Sequence, residues 1–78
     1  MEIDHEGEIP VYLQLAEIIR AQIESGELRP RRPIPSKRYL VERYEVARST
    51  VDKTVAVLKS EGLIITVPGK GLFVRDRS

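Results

Sequence analysis

Residues 27–35 read ELRPRRPIP, and three prolines in nine positions forbid a helix there. Proline lacks a backbone N–H, its ring collides with the carbonyl four residues back, and the residue before it is pushed towards extended backbone. The chain must therefore fold as two segments joined by a stiff extended connector. With 78 residues in all, the two segments share one modest core in a single small domain.

Before the connector, in VYLQLAEIIRAQIESG, the apolar residues Tyr12, Leu15, Ile18, Ile19 and Ile23 recur at three- and four-residue steps. That spacing predicts an amphipathic helix with Pro10 near its first turn and Gly26 as its stop. After the connector, Ser36 stands in N-cap position before KRYLVERYE, where Leu40, Val41 and Tyr44 give a buried stripe. A turn around Glu45 and Val46 leads into a third helix from about residue 47 to 61. Its core positions are Val51, Val55 and Leu58, and Gly62 suits the left-handed position just past its end. LIITV, then PGKG, then LFV read as a β-hairpin.

The order is helix, connector, helix, short turn, helix, hairpin. It predicts a mainly α winged helix-turn-helix of three helices plus a two-stranded wing. Residues 1–8 read as a flexible acidic N-terminal segment and residues 9–75 as the domain. Within the domain, the helix-turn-helix covers about 37–56 and the wing about 63–75. Residues 76–78 read as a tail, or as the start of a linker to a C-terminal domain not in this sequence.

The net charge of +1 conceals a polarised chain. Residues 1–27 hold seven acids and one base, whereas residues 28–78 hold twelve bases and five acids. Such a chain can offer a cationic surface to a polyanion, or its halves can neutralise each other in the fold; charge alone fits both. The chain has no cysteine, which excludes disulfides and thiolate metal sites, and its one histidine, His5, sits in the acidic start. No nucleophile stands with a base and the carboxylates are scattered, so neither catalysis nor a cofactor or metal is expected. No apolar run is long enough to span a membrane, and the acidic start is unlike a signal peptide, so a cytoplasmic location is expected.

Four stretches, PVYLQLAEIIRAQIESGELRP, IPSKRYLVERYEVARSTV, LKSEGLI and GKGLFV, stand in order and at the spacing of a known family. From Ile9 to Val74 the chain resembles the GntR-type transcriptional regulators. The resemblance implies a third helix in the DNA major groove and a wing at the adjacent minor groove. It also implies site positions: Arg38 at the start of the second helix, Arg48, Ser49 and Thr50 at the start of the third, and Gly69 and Gly71 at the wing tip. Repression rather than activation is a further implication of the family, as is dimeric binding to pseudo-palindromic double-stranded DNA. The family's ligand-binding and dimerising domain has no counterpart here, so an effector is expected only if such a domain exists. The chain also departs from the family pattern. Lys37 stands where an acid is common, Ala47 where a Ser or Thr often caps, Arg31-Arg32-Pro33 in place of a Gly-containing turn, and Asp52 where an arginine is frequent.

Each candidate has a physical role. The planar fork of Arg48 can satisfy both guanine acceptors, a pairing worth about 1–3 kcal/mol of discrimination. Ser49 and Thr50 can donate to phosphate or simply cap their helix. Lys37 and Arg38, with Ser36 before them, begin the helix that rests on phosphate. Lys53 lies five residues past Arg48, where it reaches the DNA backbone or a solvated face. Gly69 and Gly71 allow close approach to the groove, with Lys70 between them as the cation. Arg29, Arg31 and Arg32 form a cationic strip read as a solvated connector, and Tyr12, Tyr39, Tyr44 and Phe73 are read as core. Asp52 follows Arg48 by four residues and is read first as its helical ion-pair partner. It can also accept from a cytosine amino group, or repel phosphate. The alternative function is a winged-helix protein-interaction module, which would turn Ala56 and Val57 outward as its contact face.

Overall fold

The computed structural model describes residues 2–76. Residues 77 and 78 of the expected tail lie outside the described residues. The chain forms α1 (Val11–Glu24), α2 (Lys37–Tyr44), α3 (Arg48–Ser60), β1 (Ile64–Val67) and β2 (Gly71–Val74). This is a winged helix-turn-helix, mainly helical, with the two strands as an antiparallel hairpin.

Local chemistry explains the boundaries. The Pro10 carbonyl accepts from the amides of Leu13 and Gln14 at 3.0 and 3.2 Å, starting α1 at a residue whose missing N–H a helix does not need there. The Ser36 hydroxyl accepts from the Tyr39 amide at 3.1 Å and caps α2. Ala47 is the N-cap of α3 and has no side chain to cap with. The turn between α2 and α3 is tight because Glu45 adopts left-handed backbone, with φ 54° and ψ 52°. Such a conformation costs a non-glycine residue roughly 1–2 kcal/mol, and burial of Val46 beside it helps to hold it. In the hairpin, the Lys70 amide donates to the Val67 carbonyl at 2.9 Å across Pro68 and Gly69, and Gly69 has φ 76°. Proline then glycine is the pairing a type II turn requires.

The core is a single cluster. Leu15, Ala16, Ile19 and Ile23 of α1 meet Leu40 of α2, Val51, Val55 and Leu58 of α3, and Ile64 and Val74 of the hairpin. Each fully buried aliphatic side chain contributes about 1.5–3 kcal/mol. Thr54 is the one buried polar residue among those described, and its hydroxyl donates to the Tyr12 carbonyl at 2.8 Å, joining α3 to the start of α1. A bidentate pair from Arg20 to Glu61, at 2.8 and 2.9 Å, ties α1 to the far end of α3, with Glu17 closing on the same guanidinium. The segment before α1 folds back on it. The Gln14 side chain bonds the Asp4 amide and carbonyl at 2.8 and 2.9 Å, and Ile3 packs on the core.

Two readings of the sequence need correction. The connector is more than a solvated strip: it runs antiparallel to β2, with a bridge between Pro33 and Phe73. Ile34 donates to Leu72 at 3.1 Å and Val74 donates to Arg32 at 2.8 Å. The prolines at 33 and 35 leave Ile34 as the donor between them, and its buried side chain anchors the connector. Tyr39 is not core. It is 53% exposed, because neighbouring Leu40 takes the inward position and one residue along a helix turns the side chain by about 100°. Tyr12, Tyr44 and Phe73 are half-buried.

Candidate nucleic-acid interface

The start of α2, the exposed side of α3 and the hairpin enclose a groove of about 620 Å³. Val55, Ile34 and Leu72 contribute apolar lining, and the charged lining is cationic: Lys37, Arg38, Arg48, Lys59 and Lys70, without a carboxylate. None of these residues comes from the acidic first third of the chain. The fold thus keeps the acidic first third of the chain out of the groove.

Six of the residues singled out by sequence line this groove: Ser36, Lys37, Arg38, Arg48, Lys70 and Gly71. The others sit differently. Ser49 is exposed and Thr50 half-buried in the first turn of α3, and neither caps the helix. Gly69 is exposed at the hairpin tip. Lys53 points its ammonium over the Tyr12 ring, 5.7 Å from the centroid, and is not part of the groove. Ser36 has its hydroxyl engaged as the α2 cap.

Asp52 has a partner the sequence did not disclose. Lys37 Nζ donates to Asp52 Oδ1 at 2.8 Å, whereas the expected helical partner, Arg48, stands farther off at 3.6 Å. The Lys37 hydrogen bond is the main cause holding the Asp52 carboxyl below its ordinary range, with the Arg48 charge adding to it. Arg38 pairs along its own helix with Glu42 at 3.0 Å and keeps its side chain 89% exposed. Lys59, not singled out beforehand, donates to the Thr66 hydroxyl of β1 at 2.7 Å. Its signal was present: residues 48, 52, 55 and 59 mark one stripe of a helix. Among the described residues, neither Lys59 nor Lys70 has an ion-pair partner.

Two helix starts and a turn of hairpin around a cationic groove define a winged helix-turn-helix domain built to face a polyanion. The chain belongs to the GntR family of bacterial regulatory proteins, whose model matches residues 11–74. It is 39% identical over 74 residues to the HTH-type transcriptional repressor NagR of Bacillus subtilis, a match covering 95% of this chain and 30% of that protein. Among solved structures it resembles YtrA of Sulfolobus acidocaldarius, a GntR-family transcription factor, at 33% identity and TM-score 0.88. That match covers 100% of this chain and 66% of the other. It also resembles the AraR DNA-binding domain in complex with operator ORX1, at 33% identity and TM-score 0.84, over 95% of both chains. The chain spans under a third of the length of the curated relative it matches.

Proposed function

We propose that this domain binds double-stranded DNA sequence-specifically, as the DNA-reading part of a transcriptional repressor. The observation that carries the reading is the gathering of five bases from α2, α3 and the hairpin around one groove that no carboxylate lines. In this reading α3 enters the major groove by its N-terminal end and Arg48 reads guanine. Arg38, Lys59 and Lys70 meet phosphate, and the hairpin reaches the adjacent minor groove. The similarity to an operator-bound domain supports this, and the repressor role rests on the NagR relationship. Two such domains would occupy a pseudo-palindromic site with half-sites roughly 34–36 Å apart.

The reading is non-enzymatic and places the protein in the cytoplasm. Among the described residues no helix is long and apolar enough to cross a membrane. The protein-interaction alternative is not favoured, because Arg48, Ser49, Asp52 and Lys53 are all exposed on α3 around Ala56. Fluorescence anisotropy with a labelled mixed-sequence duplex tests the proposal. Three neutralised phosphates give a log–log slope of affinity against salt of about −2.7. No binding at low salt, or binding indifferent to salt, would refute it.

A further inference from the structure

Residues 48, 52, 55 and 59 follow one another at steps of four, three and four, a single stripe of the α3 surface. Arg48, Val55 and Lys59 line the cationic groove, so Asp52 stands beside it, between the first two. A carboxylate in that place repels a polyanion unless its charge is met. Here it is met by cations from two helices, both at the same atom: Lys37 Nζ at 2.8 Å and Arg48 Nε at 3.6 Å from Oδ1. The Lys37 hydrogen bond falls on Oδ1 rather than Oδ2, and the side chain is 52% exposed.

We propose that Asp52 is a base-reading residue that accepts a hydrogen bond from cytosine N4 through Oδ2, while Lys37 fixes and neutralises Oδ1. The inference rests on the DNA-binding reading above. Asp52 is the fifth residue of α3, near the end of a recognition helix that approaches base edges. An ionised carboxylate offers acceptors only, and the major groove presents two donors, the amino groups of cytosine and adenine. Adenine carries the N7 acceptor beside its amino group, which opposes a carboxylate; cytosine does not. Lys37 and Arg48 keep the carboxyl ionised by lowering its pKa, so the acceptor persists at neutral pH. Arg48 selects guanine one helical turn away, and the two residues together select guanine and cytosine at neighbouring base pairs.

Selection of bound duplexes from a randomised pool tests this. It uses the full chain and the variants Asp52→Asn, Asp52→Ala, Lys37→Arg and Lys37→Met, with a salt titration of each. The wild type is expected to fix cytosine at one position. Asp52→Asn should move that position alone towards adenine, because a carboxamide pairs with N6 and N7. Asp52→Ala should lose about tenfold discrimination there and leave the other positions intact. Lys37→Arg should keep the preference, whereas Lys37→Met should blur it. Equal tightening of Asp52→Ala on every sequence would overturn the proposal in favour of plain repulsion. Unchanged base preferences with a lowered melting temperature would overturn it in favour of a purely structural pair. A wild type that binds DNA but is indifferent at every such position overturns this inference and leaves DNA binding standing. A wild type that binds no DNA at low salt overturns both.

Discussion

Two lysines of α3 divide the account sharply, because they are six residues apart and point to different surroundings. Lys59 lines the groove and meets the Thr66 hydroxyl, with no ion-pair partner among the described residues, so its charge is available to phosphate. Lys53 lies over the Tyr12 ring. Replacing either by glutamine changes an exposed position, which shifts stability by no more than about 0.5 kcal/mol. Their effects on binding should differ. With three phosphate contacts the slope of log affinity against log salt is about −2.7, so raising salt from about 50 to 200 mM weakens the wild type about 40-fold. Lys59→Gln removes one contact; its slope becomes about −1.8 and the same change costs about 12-fold. The loss should be uniform across DNA sequences, since phosphate carries no sequence information. Lys53→Gln should match the wild type. Anisotropy titrations at several salt concentrations read all three slopes. A larger change from Lys53→Gln than from Lys59→Gln would refute the placement of the groove.

Three further outcomes concern stability. Glu45→Asn should raise stability by about 0.5–1 kcal/mol in chemical denaturation, because asparagine tolerates the left-handed backbone that glutamate adopts at some cost; a loss would mean the Glu45 side chain matters more than its backbone. Thr54→Val keeps the buried volume but deletes the hydrogen bond to the Tyr12 carbonyl, and should cost about 1 kcal/mol by the same assay. Asp52 and Glu61 are both held below their ordinary pKa values of 3.8 and 4.5, chiefly by hydrogen bonds from Lys37 and Arg20. A depressed carboxylate contributes stability that is fully present above its unfolded pKa and is lost as pH falls through the folded value. Thermal melts should therefore hold steady from neutral pH to the mid-acid range and fall below about pH 4. Asp52→Asn combined with Glu61→Gln should flatten that acid limb.

Much of this fold was legible because its signals are local. The three- and four-residue spacing of Leu15, Ile19 and Ile23, the Ser36 cap, the Gly62 stop and the proline-glycine turn each act within a few positions of the chain. Arg48, Lys37 and Lys70 were legible for the same reason, as long cations at helix starts and a loop tip. What was missed is non-local. The pairing of residues 31–34 with β2 joins segments some forty residues apart, and proline composition disguised it as a linker. The Lys37–Asp52 bridge crosses between helices, whereas helical spacing pointed only to Arg48. Lys59 becomes a groove residue only when the hairpin folds against α3. The outward turn of Tyr39 reflects a choice between adjacent apolar residues on a short helix, which the packing of Leu40 decides.

The central claim is that the groove between α2, α3 and the hairpin is the face that engages DNA. Titrating the isotopically labelled chain with a short duplex, followed by amide chemical shifts, tests it directly. The account predicts shifts concentrated at residues 36–38, 48–52, 59 and 69–71, fading as salt is raised. Shifts concentrated instead on the outward face of α1, around Leu13 and Glu17, would contradict it.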